Sequence, residues 1–302
     1  MSARPLQLAL VLATAGVAHA QDFQRTVAGS SGDTVLCVTW ADRNFTYRVD
    51  QFGSAQTPGE TEFTAIDAAF TTWEAVATNC SDFRFRRGQR IANPRVGKGT
   101  ETDNVLTFRE RDCRDVVQPT DPCLADGSCA NTHACWDHNS ATIGLTTVTY
   151  STRTGVAVDA DIEFNASGFL MTTISSPPCE VGRESVQCVA YDVQNTTTHE
   201  IGHAVGLDHV LGDTSTMAPT APLGETAKRV IDVGTAQGFC LTYPRGQPPT
   251  PCDELAVQRS RIIARSTGSF GVSCVNAAAP GVPLTLLVSW LVVRRARRHR
   301  QS

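Results

Sequence analysis

The sequence predicts an α+β domain: short strands, one long core-facing helix, a second helix that carries chemistry and a third that closes the fold. Three observations predict it. Apolar and polar residues alternate at Phe45, Tyr47 and Val49 and again from Val156 to Phe164, the period of a strand. Phe63, Ile66, Phe70, Trp73 and Ala77 recur at helical spacing and form a stripe that faces a core. The stretch HEIGHAVGLDH, from His199 to His209, places His199 and His203 on one face of a helix, one turn apart.

In chain order, residues 1–20 read as a secretory signal. Arg4 supplies the charge, Leu6 to Val17 the apolar run, and Ala18-His19-Ala20 the small-residue cleavage pattern. Residues 21–33 are polar and glycine-containing, an extended lead-in. Cys37 to Val49 is the first strand. Thr57-Pro58-Gly59-Glu60 has the pattern of a helix start, with Thr57 as cap and Glu60 reaching back. Ser81 to Arg87 is a second strand and Asn104 to Arg109 a third. Arg111 to Trp136 holds four cysteines with Pro119, Pro122 and Gly127, and reads as a disulfide-pinned insertion. Thr142 to Ser151 is rich in threonine, valine and tyrosine, a strand composition. On Val156 to Phe164, Asp159, Asp161 and Glu163 share one face. Calcium would take three such acids, but a solvated face is the expectation. Cys179 and Cys188 close a loop, Asp192 caps the histidine helix, and Thr226 to Phe239 forms the closing helix. Arg245 to Thr250 reads as a linker.

The histidine stretch reads as a zinc site with its own base. Gly206 ends the helix in a left-handed turn and brings His209 round as a third nitrogen ligand. Three protein ligands leave a fourth position for water, the mark of a catalytic zinc, which lowers the pKa of that water to about 7. Glu200, beside the first ligand, is free to face the water as general base. The extended pattern fixes five positions in a short stretch, far more than a bare H-E-x-x-H. Met217 follows in Thr214-Ser-Thr-Met217-Ala-Pro219.

With those residues in hand, the chain resembles the metzincin zinc endopeptidases. There a methionine in a tight turn lies beneath the three histidines and supports the metal without binding it. Astacins and serralysins carry a tyrosine two residues after that methionine; here the position is Pro219, and Met217-Ala218-Pro219 resembles the matrixins. The resemblance covers roughly residues 34–243 and is specific from Asp192 to Pro219. It implies a twisted mixed sheet with an antiparallel edge strand at Ile143 to Tyr150, an active-site helix and a C-terminal helix. It also implies protein or peptide substrates held along that edge, near Thr146, Thr147, Pro219 and Thr220. Two departures stand out. The lead-in is too short for the inhibitory propeptide that matrix metalloproteases usually carry. The histidine pattern of the matrixin structural zinc is missing, so His133 and His138 are expected to be solvated loop residues and not ligands of a second metal.

Composition bounds the rest. The chain has 302 residues, 41% of them hydrophobic, enough for a packed core. Its net charge of −4 mixes unlike pieces: six of the 26 basic residues are Arg4 and the arginines from Arg294 onward, leaving 20 against 30 acids, a balance of −10. That excludes the basic stripe a nucleic-acid binder needs. Ten of the eleven cysteines precede residue 253, room for five bridges in an exported protein, and Cys274 is left over. Ala277 to Val293 is apolar, short for a membrane span, interrupted by Pro280 and Pro283, and followed by RRARRHR. With Cys274 it resembles the C-terminal sorting signal of myxobacterial surface proteins, where a sorting protease removes the tail; an ordinary membrane anchor is the other reading. The domain plan is therefore a signal (1–20), a lead-in (21–33), a catalytic domain (34–244), a linker (245–276) and a C-terminal segment (277–302). The function expected is an exported zinc endopeptidase at the cell surface or outer envelope. The other reading is a non-catalytic adhesin or binding module on the same fold, which the intact Glu200 and three histidines disfavour.

Overall fold

Strand alternation and the helical stripe translate into one main sheet with two helices against it. The computed structural model describes residues 23–32, 34–97, 103–211, 214–252 and 269–276, the last as a backbone path. In order come β1 (Gln24–Arg25), β2 (Val27–Ser31), β3 (Thr34–Cys37), β4 (Thr39–Trp40), β5 (Asn44–Val49), α1 (Thr61–Cys80), β6 (Arg84–Arg87) and β7 (Asn104–Phe108). The insertion holds α2 (Cys113–Val116), α3 (Cys123–Asp126) and α4 (Cys129–His133). Then follow β8 (Thr142–Tyr150), β9 (Val156–Phe164), β10 (Met171–Thr172), β11 (Tyr191–Asp192), α5 (Val193–Ala204), β12 (Leu207–Asp208), β13 (Thr220–Ala221), α6 (Val233–Thr242) and β14 (Ser269–Asn276). The main sheet runs β13-β14-β8-β9-β7-β5-β6, with β4 also on β9. Strands β6, β5, β7 and β9 are parallel, and β8 is antiparallel to β9. This is the expected mixed sheet with β8 antiparallel, but β8 is not the edge expected at Ile143 to Tyr150, because β14 pairs along its outer side.

The stripe on α1 is buried as expected: Phe63, Ile66, Phe70, Trp73 and Ala77 all join the core beneath α5. The helix starts differently, though. Gly59 and Glu60 both take φ of 60°, which breaks the first turn, and the helix begins at Thr61. Glu62, not Glu60, reaches back: its carboxylate accepts from the Ser54 N–H at 3.2 Å and from the Thr57 hydroxyl. Glu60 faces outward to Arg90. The first strand is split into β3, β4 and β5. The closing helix begins at Val233 and not at Thr226, because Asp232 accepts from the Thr235 N–H and caps it there.

The acids of β9 correct the solvated-face expectation. Asp159, Asp161 and Glu163 are all buried. Asp161 accepts from the N–H groups of Gly97 and Val105 at 2.7 and 3.0 Å. Burial, and the Asp159 carboxyl beside it, push its pKa well up. Burial would raise Glu163 too, but His138 and Arg109 outweigh it and hold that carboxyl below its usual range. The Arg109 Nε lies 2.6 Å from Glu163 Oε1 and His138 Nε2 lies 3.2 Å from Oε2.

All ten cysteines before residue 253 pair: Cys37–Cys252, Cys80–Cys240, Cys113–Cys135, Cys123–Cys129 and Cys179–Cys188. The last closes the short loop expected of it, and the third and fourth pin the insertion. The first two staple the ends of the domain across sequence separations of 215 and 160 residues, where restraint of the unfolded chain is large. Cys37–Cys252 also ties the stretch after Arg245 back to the domain, and β14 lies in the main sheet. The signal and residues 277–302 fall outside the described residues; of the sorting motif only Cys274 lies within them, on β14. Among the described residues, no helix is long and apolar enough to cross a membrane.

Candidate metal and active site

Asp192 builds the start of the histidine helix. Its Oδ1 accepts from the Asn195 N–H at 2.7 Å, and the Arg229 guanidinium holds the same carboxylate. Thr196, Thr197 and Thr198 are poor helix formers, and two of them bond back to the preceding turn: the Thr197 hydroxyl donates to Val193 O at 2.6 Å and that of Thr198 to Gln194 O at 2.8 Å. Packing makes up the deficit. The Trp73 indole donates to Thr198 O at 2.9 Å and the Trp40 indole to Ala204 O at 2.7 Å. The Tyr243 hydroxyl donates to Val205 O at 2.8 Å, so large aromatic side chains cap the helix end.

Gly206 takes φ of +89° and turns the chain, as its position predicts. The turn continues into β12, which pairs antiparallel with β1, so the lead-in is a structural clamp on the histidine loop. His199, His203 and His209 converge. Their Nε2 atoms are 3.1, 3.1 and 3.3 Å apart. His199 Nδ1 lies 2.7 Å from Thr216 O and His203 Nδ1 lies 2.9 Å from Leu207 O. A carbonyl only accepts, so both Nδ1 atoms carry the proton and both Nε2 atoms present lone pairs to each other. Two lone pairs at 3.1 Å repel unless a cation lies between them. A tetrahedral zinc with bonds of about 2.0–2.1 Å sets its nitrogens about 3.3 Å apart, so the triangle fits. Burial, then the neighbouring imidazoles, lower the pKa of His199 and His203 well below the usual range. Burial, then Lys228, lowers that of His209 to about 4. All three are therefore neutral at neutral pH, the form that binds a metal.

Glu200 is fully buried beside this triangle. The Thr146 hydroxyl, reaching from β8, lies 2.6 Å from its Oε2. Gly144 is two residues away on the same face of β8, and a Cβ there would stand 2.8 Å from Glu200 Oε1. Met217 lies beneath the helix, 1% exposed, in a turn closed by the Ala218 N–H on Ser215 O at 3.0 Å. Its sulfur would be 2.3 Å from a Cβ at Gly202, so the glycine is what lets the methionine under the histidines. Met217→Leu keeps the volume and should cost under about 1.5 kcal/mol. Thermal melting with zinc titration checks this, and loss of zinc would show that the sulfur does more than pack.

A sequence comparison fits this geometry. The family model described as Matrixin matches residues 39–239, two thirds of the chain. The chain belongs to the matrixin family. Matrixins are zinc-dependent peptidases, so this is a zinc metalloprotease domain. No curated protein matches the chain.

Of the residues expected in the matrixin substrate site, Thr146 turns inward to Glu200, while Thr147, Pro219 and Thr220 remain partly exposed. Sequence reasoning missed the groups that hold the site in place. The carbonyls of Thr216 and Leu207 orient two imidazoles. The Asp232 carboxylate accepts from the Thr216 N–H at 2.7 Å and so ties the methionine turn to the start of α6. Buried Lys228 holds Thr220 O at 2.6 Å, bracing β13. Glycines in threonine-rich or helical runs, Gly144 and Gly202, were the readable signal. One further cluster among the described residues, Asp121, Cys123 and His133, has its cysteine in a disulfide and offers no thiolate. His133 Nε2 lies 2.9 Å from Asp121 Oδ2 instead.

Proposed function

We propose that this matrixin is an exported endopeptidase that holds one zinc ion through His199, His203 and His209. The observation that carries the reading is the convergence of three Nε2 lone pairs, two of them fixed by backbone carbonyls, beside the buried carboxylate of Glu200. When bound, zinc supplies a Lewis acid for the scissile carbonyl and a nucleophilic water at neutral pH. The chain supplies the rest. The outer side of β8, where β14 lies in this structure, is the backbone along which an extended peptide would pair antiparallel. Glu200, steadied by Thr146, accepts a proton from the attacking water and passes it to the leaving nitrogen. The carbonyls of Thr216 and Leu207 keep the imidazoles in the ligating tautomer and orientation.

Five disulfides suit an oxidising compartment, which supports export through residues 1–20. The apolar stretch and arginine cluster at residues 277–302 support attachment to the cell envelope, as a cleaved sorting signal or an anchor. The test is metal content with turnover. Purified protein should carry one zinc per chain, lose hydrolysis of a denatured protein to a chelator and regain it with zinc. Active protein with under about half an equivalent of zinc would sink the assignment. Bound zinc without any turnover would favour the binding-module reading.

A further inference from the structure

The main sheet does not end at β8. Beyond it lies β14, a segment from near the C-terminus, inserted between β8 and β13. It runs antiparallel to β8, from Ser269 opposite Thr149 to Cys274 opposite Gly144 and Val275 opposite Thr142. It runs parallel to β13, with Val275 opposite Thr220 and Asn276 opposite Ala221. Without β14, β8 would be an edge strand with a row of unpaired backbone groups facing the cleft. β13 follows directly on the methionine turn, so the slot between β8 and β13 is the one an extended substrate would use.

The register is specific to the chemistry. Val272 stands opposite Thr146, whose hydroxyl holds Glu200, and Cys274 opposite Gly144, which leaves room for the other carboxylate oxygen. The backbone of β14 also runs beside α5. The segment SFGVSCVN has no charged residue, and its valines and phenylalanine suit a strand. Its tether is short. Cys252 is fixed to Cys37, and only residues 253–268 separate it from Ser269. Such a linker gives an effective concentration on the order of 1 mM, above that of most free peptides.

We propose that Ser269–Asn276 is an internal pseudosubstrate: the chain fills its own peptide cleft, and the peptidase stays latent until this segment is displaced or removed. The inference rests on the reading that the β8 edge beside Glu200 is the substrate site. Backbone pairing to β8 and β13 holds the segment in the place of a peptide, so it competes with substrate and raises the apparent KM while leaving kcat unchanged.

The test compares the full chain with the full chain carrying Val272→Pro and Ser273→Pro. Neighbouring residues of a strand point their N–H groups to opposite sides, so one of the two prolines removes a bond to β8 whichever way the ladder alternates. A second form keeps the natural strand but carries a site-specific protease sequence between Ser260 and Arg261, cut after folding. Both opened forms should hydrolyse a generic peptide with kcat/KM at least about tenfold higher than the intact chain, all of it in KM. Amide exchange along Thr142–Tyr150 should quicken in both, and a synthetic peptide of residues 269–276 should restore inhibition. Equal kcat/KM and equal exchange in intact and opened forms would overturn the proposal. So would self-cleavage within residues 269–276, which would make the segment a substrate. If no form turns over while zinc is bound, the peptidase reading fails and inhibition fails with it; the exchange measurement then still reports separately whether the strand docks.

Discussion

Glu200→Gln is expected to leave folding and zinc content unchanged and to cut turnover by at least about 100-fold. The substitution is nearly isosteric, which matters because the side chain is fully buried and Gly144 leaves no room for anything larger. The Thr146 hydroxyl that now donates to Oε2 can rotate and accept from the new amide, so the local hydrogen bond survives. What the amide cannot do is take a proton from water and return it to the leaving nitrogen. A 100-fold loss corresponds to about 2.7 kcal/mol of barrier, within what one positioned general base contributes. The loss should fall in kcat, with peptide binding retained, because the substitution leaves the backbone of β8 unchanged. The measurement is kcat and KM on one peptide for both forms, with zinc determined on the same samples. A variant that holds zinc and keeps most of its turnover would mean that a different group moves the proton.

The chemistry was legible because it is local. His199, Glu200, His203, Gly206 and His209 lie within three turns of chain, and helix periodicity with one glycine turn is enough to bring them together. The alternation on β5 and β9, the α1 stripe and the Asp192 cap were legible for the same reason. Alternation reports that two faces differ, however, not what covers the polar one. Asp159, Asp161 and Glu163 look solvated in sequence, yet Arg109, His138 and the backbone at Gly97 come over them from distant stretches. The start of α1 misled because Glu60 and Glu62 both offer a carboxylate near the first turn, and the left-handed backbone at Gly59 and Glu60 selects the second. The pairing of β1 with β12 and of β14 with β8 joins residues far apart in sequence. No periodicity encodes such contacts, and those two pairings are what clamp the histidine loop and fill the cleft.

Gly206→Ala is expected to be the most damaging single methyl in the site. Two costs combine there. The backbone is left-handed, φ +89°, which an alanine adopts only at about 1–2 kcal/mol. The added Cβ would also meet Val38 O at 2.4 Å, a backbone atom held in place because the Val38 N–H donates to Thr26 O. The Thr26 N–H in turn donates to Gly206 O at 2.9 Å, so the turn cannot retreat without breaking the bond that joins it to the lead-in. Gly246→Ala separates the two costs: its φ is +66°, and nothing lies within 4 Å of the added atom. Gly246→Ala should therefore lose only the conformational part, about 1–2 kcal/mol. Gly206→Ala should lose about 3 kcal/mol or more, lowering Tm by roughly 6–12 °C for a domain of this size. It should also weaken zinc binding by about 10-fold or more, because Leu207 O orients His203 and the turn delivers His209. Thermal melting with and without chelator, on both variants, reads the two effects separately. Equal shifts in the two variants would mean that the contact with Val38 relaxes at no cost, and that the left-handed turn alone is what the glycine provides.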